Sequence, residues 1–346
     1  MKKQQPKKTE ISKEQLMDDF KKIGIQKGDH LAVTLSFKSI GYVKGGPDTF
    51  IDALLEVVGS EGTLMVNTYT QSVSLFALQP NFIFDPKKSV PYTGLIPRTL
   101  LKRKNTIRSC HPTCSVAAIG SQAEYLTKNH NENSNPFLPY ERLAQINGKY
   151  LCIGIGNRLV AIRHEAQRRA NLIQVPIFLG VYFKNQNGKK RLFVWKIPPC
   201  TDNMHNIVPL IETKMTFKRD KIGVANSILA DAKQLIEIMT EILQKDPQLG
   251  LCNDIFCFKC RELERQLNLY SKIESPKIFQ KNMLIKTVLY GINKLILRQF
   301  RYAIIFDESK NTKTIKKTSL DISLTILFNI ASKVLGRNQT VRSESI

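Results

Sequence analysis

The stretch RSCHPTCSVAAIG, residues 108–120, places an arginine, a histidine, hydroxyls and thiols directly before a run of small residues that fits a strand. Metal ligation, nucleophilic catalysis and anion binding all use such side chains. Metal ligation fits poorly, because Cys110, His111 and Cys114 lie within five residues, beside a proline and without a second ligand pair nearby. A catalytic cysteine has no evident base. On this stretch alone, a structural loop is the commonest outcome.

Strand and helix patterns alternate around this stretch. A first helix is predicted over residues 13–23, between a Ser12 cap and a Gly24 stop. HLAVTLSF, TLMVN and KYLCIGIG predict strands, whereas FIDALLEVV, TGLIPRTLLKRK and RLVAIRHEAQRRANLI predict helices. VPIFLGVYF and RLFVWKI predict a β-hairpin that makes the sheet mixed. We therefore expect an α/β fold: a mixed central sheet with helices on both faces.

Three regions are expected along the chain of 346 residues. Residues 1–12 are predicted to be a disordered basic tail, and residues 13–270 an α/β domain with a cysteine-rich segment at 250–262. Residues 271–346 carry a net charge of +9 and predict a basic helical C-terminal extension. Its amphipathic pattern fits contact with an anionic membrane surface or packing on a core with one solvated face.

The formal net charge of +23 favours partners that carry negative charge. Nucleic acid is an unlikely partner, because the sequence has no RNP pattern, helix-turn-helix signature or paired zinc finger. The basic N-terminus is not followed by an apolar core, and no apolar run approaches the roughly 18 residues of a membrane span. Seven cysteines, an odd number, favour reduced thiols. We expect a cytoplasmic protein, with peripheral contact to the inner membrane face as the alternative.

Several segments in a fixed order carry a resemblance to a known family. They are LAVTLSFKSIGYVKGG, GTLMVNTYT, FDPKKSVPYTGLIPRTLLKR, IRSCHPTCSVAAIG, NPFLPYERL, GKYLCIGIG and AIRHEAQ. Together they resemble the aminoglycoside 3-N-acetyltransferase family over about residues 13–200. The most specific element is Arg-Ser-x-His-Pro-x-x-Ser followed by Ala-Ala-x-Gly.

The resemblance implies transfer of an acetyl group from acetyl-coenzyme A to an amine of an amino sugar. It also implies that the coenzyme contacts nine residues: Ser36, Ser39, Gly41, Val43, Gly45, Arg108, Ser109, His111 and Ser115. Tyr69 and Asp85 would line the acceptor side. Independently of the family, the glycines at 45–46 before a helix start expose amides that suit a phosphate, although a turn without a ligand has the same pattern.

For catalysis, the resemblance implies that His164 is the general base in a direct transfer without an acyl-enzyme. The family threonine three residues before this histidine is Ala161 here, and the family glutamate three residues after it is Gln167. Glu165 is the nearby carboxylate, but at i+1 it points about 100° away from the histidine. Gln167 can hold the ring's tautomer without stabilising imidazolium as an anion would.

These departures bear on substrate and activity. Four arginines near the histidine would lower its pKa and repel polycationic aminoglycosides: Arg158, Arg163, Arg168 and Arg169. A neutral or anionic amino sugar, nucleotide-linked or lipid-linked and destined for a cell-surface polysaccharide, fits the charge better. The alternative is a catalytically impaired member of the fold that serves as a binding or assembly module.

A second cysteine-rich stretch, CNDIFCFKC, places Cys252, Cys257 and Cys260 at C-x4-C-x2-C spacing. This spacing is compatible with thiolate ligation of zinc or an iron–sulfur cluster, provided that a fourth ligand is found. Cys200 and His205 are the available candidates. The alternative is a set of reduced thiols that bind no metal.

Overall fold

The computed structural model describes residues 10–70, 73–74, 81–172, 175–185, 188–197, 200, 204–252, 257, 259–260, 263–264 and 267. The strands are β1 (Glu10–Ile11), β2 (His30–Leu35), β3 (Tyr42–Val43), β4 (Thr63–Asn67), β5 (Val73–Ser74), β6 (Ile83–Phe84), β7 (Ile107–Arg108), β8 (Val116–Gly120), β9 (Lys149–Ile153), β10 (Val175–Lys184), β11 (Lys190–Ile197), β12 (Lys218–Ile222) and β13 (Ala225–Asp231). The helices are α1 (Lys13–Ile23), α2 (Gly46–Val58), α3 (Leu95–Leu100), α4 (Ala123–Thr127), α5 (Leu138–Gln145), α6 (Ile162–Arg169), α7 (Met204–Glu212) and α8 (Ala232–Lys245).

The largest sheet in the described part of the chain has the strand order β12-β13-β9-β2-β4-β8-β7. Strands β9, β2 and β4 at its centre are parallel, whereas β13 and β8 join them antiparallel on either side. The prediction of a mixed central sheet is therefore confirmed.

Helices cover both faces of this sheet because the central strands alternate their side chains between two cores. Leu31 and Val33 of β2 pack into one core with residues of α1, α2 and α3, including Phe20 and Phe50. Ala32, between them, packs into the other core with residues of α4 to α8. Strands buried on both faces are typical of α/β proteins.

The N-terminal helix forms as predicted, but the tail before it is shorter. Ser12 accepts a hydrogen bond from the Gln15 amide, and Gly24 ends α1 in the left-handed conformation. The prediction of a solvated tail was wrong for residues 10–12, because β1 pairs with β3 and Ile11 is buried in the core. Residues 1–9 lie outside the described part.

The predicted hairpin also forms, with Val181 opposite Phe193. It does not belong to the central sheet: β10 and β11 form a separate sheet in which β5 and β6 also pair with β10. The mixed character of the central sheet comes instead from the antiparallel strands β8 and β13.

The predicted C-terminal extension, residues 271–346, lies outside the described residues. Among the helices that the structure describes, none combines the length and apolar character needed to cross a bilayer.

Candidate active site

The carboxyl ends of the three parallel strands form the edge at which the candidate site lies. The chain passes from β2 through α2 to β4 on one side, whereas β9 pairs with β2 on the other side. This edge is therefore a topological switch point, where the connections from neighbouring strands lead to opposite sides. Open α/β sheets bind ligands at such points. The segments that leave this edge are residues 36–45 after β2, residues 68–70 after β4 and residues 154–161 after β9.

The segment after β2 holds five of the predicted coenzyme residues. The Ser36 amide donates to the Ile153 carbonyl, and Ser39 Oγ donates to the Ser36 carbonyl at 2.7 Å. Ser39 also lies against Gly154, where an added Cβ would stand 1.7 Å from Ser39 Oγ. This contact joins the segment after β2 to the segment after β9.

The other three residues of this segment differ in what they can offer a ligand. The Val43 side chain is buried in the core, so only its backbone remains for a ligand. Gly41 faces Ile11, whose Cδ1 would lie 2.9 Å from an added Cβ. Gly45, with φ of 76°, caps α2, and a Cβ on Gly46 would meet only open space. The start of α2 is thus open to an approaching anion.

A network of buried polar groups supports this edge, and sequence reasoning did not find it. Tyr140 Oη donates to Asn67 Oδ1 at 2.8 Å, and Asn67 Nδ2 lies 3.5 Å from Thr34 Oγ1. Tyr150 Oη donates to the Val160 carbonyl at 2.9 Å. The tyrosines therefore anchor the strand ends and the turn before α6.

The turn before α6 has a strained backbone. Ala161 has φ of 69° and ψ of −54°, and the Ile162 amide donates to the Val160 carbonyl at 2.9 Å. This is a γ-turn, which L-residues adopt rarely. Leu159 also has a positive φ, of 41°. Helix α6 consequently begins at Ile162, four residues later than the helical pattern from Arg158 indicated.

His164 lies in the first turn of α6 with only 8% of its surface exposed. Its Nδ1 lies 2.7 Å from Gln167 Oε1, and the Phe137 ring packs against it with centroids 5.0 Å apart. Burial holds the pKa of His164 well below its usual value, and the charges of Arg163 and Lys259 lower this pKa further. The imidazole is therefore neutral at pH 7.

The contacts of Gln167 decide which ring nitrogen carries the proton. Gln167 Nε2 lies 3.5 Å from the Cys200 carbonyl oxygen, which can only accept a hydrogen bond. This contact turns Oε1 toward His164, so Nδ1 must donate the 2.7 Å hydrogen bond. Nε2 is then the unprotonated nitrogen, and the hydrogen bond of the ring to Gln167 leaves it free of that partner. An unprotonated ring nitrogen is what a general base requires.

The structure does not support Glu165 as a partner of His164. Its buried carboxylate accepts hydrogen bonds at 2.8 Å from both Arg168 and Arg169, and at 3.0 Å from Asn135. Burial alone would raise the pKa of Glu165, but these hydrogen bonds hold it below its usual value. The two arginines therefore neutralise Glu165 instead of surrounding the histidine, which corrects that part of the prediction.

Arg108, predicted to bind the coenzyme, makes its contacts within the protein. It donates to the backbone carbonyls of Ser89 and Thr68 and, at 3.2 Å, to Ser115 Oγ. Burial lowers the pKa of Arg108 to about 10. The guanidinium thus connects the end of β4 to the turn after β6.

The rest of the 108–115 loop is also engaged internally. His111 is fully buried, and its Nδ1 accepts from the Thr113 and Cys114 amides, whereas its Nε2 is buried without a hydrogen-bond partner among the described residues. Ser109 Oγ accepts from the Val116 amide and bonds to His130 Nδ1 at 2.9 Å. Buried Ser115 donates to the Thr68 carbonyl at 2.8 Å. This geometry favours the structural-loop interpretation, and direct contact of these side chains with coenzyme A stays a prediction.

The two predicted acceptor residues, Tyr69 and Asp85, make different contacts. Tyr69 packs against the core that contains Tyr140, and burial raises its pKa well above the usual value. Asp85 organises a turn by accepting hydrogen bonds from the Lys87 and Ser89 amides. The role of both residues on the acceptor side stays a prediction.

The cysteine-rich stretch acquires its fourth member from a distant part of the chain. The sulfurs of Cys200, Cys252, Cys257 and Cys260 all lie within 4.8 Å of one another. The other fourth-ligand candidate, His205, is in the first turn of α7, but its side chain lies outside the described part of the structure.

An α/β sheet with a neutral histidine beside the carboxyl ends of its parallel strands is typical of an enzyme that moves protons during group transfer. Residues 32–244 match the family model for aminoglycoside 3-N-acetyltransferase. The chain therefore belongs to this family and is an N-acetyltransferase that uses acetyl-coenzyme A.

Individual relatives agree with this assignment. Aminoglycoside N(3)-acetyltransferase VII of Streptomyces paromomycinus is 30% identical over 257 residues, which cover 66% of this chain and 89% of that protein. The crystal structure of aminoglycoside acetyltransferase AAC(3)-Xa is 25% identical, with a TM-score of 0.60 over 68% of this chain and 93% of the other. The binary complex of AAC-IIIb with CoASH shares the fold at 23% identity and a TM-score of 0.60, over 68% of this chain and 97% of that one.

Proposed function

We propose that this chain transfers acetyl from acetyl-coenzyme A directly to an amine of an amino sugar, with Nε2 of His164 as the general base. The observation that carries this proposal is the contact of Nδ1 with Gln167 Oε1, at 2.7 Å, in a glutamine whose Nε2 faces a carbonyl. This arrangement leaves the Nε2 lone pair of His164 available for a proton.

In this reaction the amine nitrogen attacks the thioester carbonyl carbon. A C–N bond forms, the C–S bond breaks, and the proton lost by the amine passes to Nε2 of His164. The imidazolium then returns this proton to the departing thiolate of coenzyme A. Because Gln167 cannot neutralise imidazolium, the buried His164 is a weaker base than one paired with a carboxylate.

The coenzyme is expected along the segment after β2. The amides at the open start of α2 suit one of its phosphates, and Ser36 and Ser39 border the strand edge that leads toward α6. Phosphate binding at this place does not require the side chains of the 108–115 loop.

The expected acceptor is a neutral or anionic amino sugar, nucleotide-linked or lipid-linked, of the kind used in cell-surface polysaccharides. The charges of Arg163 and Lys259 act on His164 strongly enough to lower its pKa, and the whole chain carries +23. A polycationic acceptor would approach this positive field unfavourably. The relatives are named for aminoglycosides, so the proposed acceptor departs from theirs.

An acceptor panel tests this proposal. Purified full-length chain is mixed with acetyl-coenzyme A and either nucleotide-linked amino sugars, lipid-linked amino sugars or kanamycin-type aminoglycosides. Release of coenzyme A thiol is followed, and acetylated products are identified by mass. We expect N-acetylation of a nucleotide-linked or lipid-linked amino sugar. Acetylation of kanamycin-type amines alone would overturn the proposed acceptor class.

The second candidate function is a binding or assembly module without turnover. It is favoured by the replacement of the family glutamate by Gln167 and by the low exposure, 8%, of His164. Calorimetry with acetyl-coenzyme A separates the two candidates, since the enzyme must bind it. An absence of binding heat at several temperatures would support the module and reject the transferase.

A further inference from the structure

The cysteine cluster, defined as Cys200, Cys252, Cys257 and Cys260, has the composition of a metal site. All four sulfurs fall within 4.8 Å of one another, and three of the four residues are buried. The sulfurs of Cys252 and Cys260 are 3.4 Å apart. Tetrahedral zinc with Zn–S distances of about 2.3 Å holds its sulfurs roughly 3.8 Å apart.

The surroundings of the cluster also favour a bound ion over apolar packing. The cluster forms a small core of its own, with Leu251 as its described aliphatic neighbour. Leu251 thus supplies the described aliphatic packing of the four cysteines, and thiolate ligation of a cation would supply folding free energy directly.

We propose that these four cysteines bind one zinc ion as a tetrahedral structural site. A single ion fits the close approach of all four sulfurs better than an iron–sulfur cluster, whose bridging sulfides would separate the thiolates further. The ion would join two distant parts of the chain. Cys200 follows the β10–β11 hairpin, whereas Cys252 comes 52 residues later, after α8.

This zinc site also positions the proposed base, a role that rests on the proposed function. The carbonyl of Cys200 faces Gln167 Nε2 at 3.5 Å, and Gln167 Oε1 receives the Nδ1 proton of His164. Fixing the Cys200 backbone therefore fixes the orientation of the Gln167 amide. Without the ion, the Cys200 carbonyl is no longer held in place, so the Gln167 amide and the His164 tautomer are less firmly oriented.

Metal content is measured first, on full-length chain purified without chelator. We expect about one zinc per chain by elemental analysis. Titration of the wild-type thiols with a mercurial should release this zinc stoichiometrically to a colorimetric indicator. Less than a tenth of an equivalent of zinc, or iron accompanied by inorganic sulfide, would overturn the proposed site.

Variants then assign the ligands. Cys252→Ser and Cys260→Ser should lose the zinc, whereas the matched control Cys110→Ser should keep it because Cys110 is exposed and outside the cluster. Cobalt exchanged into the wild type should give the visible absorption of tetrahedral cobalt thiolate, a readout that does not depend on any variant folding. Cobalt bound without sulfur-to-metal charge-transfer bands would contradict the assignment.

The positioning role has its own readout. In Cys200→Ser, kcat should fall about tenfold or more, while KM for acetyl-coenzyme A changes less than about twofold. Equal kcat in zinc-free and zinc-loaded protein would reject the positioning role but leave the zinc site standing. Wild-type protein with bound zinc and no transferase activity would instead reject the proposed function.

Discussion

Two regions of this molecule carry residues typical of catalysis, and the structure uses them differently. The 108–115 loop is the more conspicuous in sequence, yet Arg108 donates to carbonyls and His111 accepts from two amides. The turn and helix start at 159–167 attract less notice but hold His164, whose Nδ1 is bound by Gln167 and which keeps 8% of its surface exposed, whereas His111 is completely buried. The Nε2 of His111 has no hydrogen-bond partner in the described part of the chain, but its complete burial keeps it from a substrate. An oriented group that retains some exposure, such as His164, can react.

The backbone conformation also differs between the 108–115 loop and the helix start at 159–167. No residue of the 108–115 loop, all of which the structure describes, has a positive φ. The helix start follows a γ-turn at Ala161, with φ of 69°. Local strain persists only where the surrounding structure enforces it, and it concentrates at functional sites.

The largest expected effect comes from removing the imidazole in each region. His164→Ala should lower kcat/KM by about 10²–10⁴, the usual contribution of a general base. His111→Asn, whose side-chain oxygen can still accept from the amides, should leave kcat/KM per folded molecule within about threefold. Steady-state kinetics with circular dichroism on both variants makes the comparison, and the reverse ranking would move the chemistry to the loop.

Acid should lower the free energy of unfolding because it protonates His111 in the 108–115 loop. Burial lowers the pKa of His111 to about 3 from 6.5, so the folded state binds fewer protons than the unfolded state between these values. Stability is therefore present above pH 6.5 and is lost as the pH falls toward 3. Urea unfolding across this range should show a loss of up to about 4–5 kcal/mol from this group. The same slope in His111→Asn would show that other groups produce it.

Arg108→Met tests whether the guanidinium stabilises the fold or binds the coenzyme. We expect the free energy of unfolding to fall by about 2–3 kcal/mol, because the Ser89 and Thr68 carbonyls lose their donor. KM for acetyl-coenzyme A should change less than about twofold. Unchanged stability with a KM raised tenfold or more would favour the coenzyme contact that the family resemblance implies.

Gln167→Glu restores the family carboxylate beside His164. An anion there favours imidazolium and raises the pKa of His164, which is now held well below its usual value. The acidic limb of kcat/KM against pH should move to higher pH, and the rate above that limb should rise about tenfold. Gln167→Leu is the control and should lower the rate. If the acidic limb of kcat/KM against pH stays at the same pH in the glutamate variant, His164 does not titrate in the rate-limiting step.

The smallest effect is expected at the γ-turn. Glycine adopts a positive φ without strain, so Ala161→Gly should raise the free energy of unfolding by up to about 1 kcal/mol. Ala161→Val should lower it, because a β-branched side chain resists this conformation. Thermal melts of the two variants show whether each is more or less stable than the wild type. A melting temperature below that of the wild type for the glycine variant would contradict backbone strain at Ala161.

Sequence reasoning succeeded where the signal is local. The Ser12 cap, the Gly24 stop and the strand in HLAVTLSF each depend on neighbouring residues, and the structure has all three. The histidine at 164 and its glutamine also lie within one helical turn, so their hydrogen bond was foreseeable.

What the sequence could not reveal depends on distant partners. The Arg108 guanidinium meets carbonyls 19 and 40 residues away, so its engagement is invisible in the motif. Cys200 reaches the cysteine cluster from 52 residues before Cys252. The γ-turn at Ala161 could not be predicted from the sequence, because an alanine and not a glycine occupies the position with positive φ.

In the proposed mechanism, Gln167 holds His164 with its proton on Nδ1 and leaves Nε2 as the base. With five histidines in the chain, ¹⁵N spectra of histidine-labelled protein are simple, and His164→Ala assigns the signals. At pH 7 we expect a protonated, pyrrole-type Nδ1 and an unprotonated, pyridine-type Nε2 for His164. A proton on Nε2, or a charged ring at that pH, would contradict it.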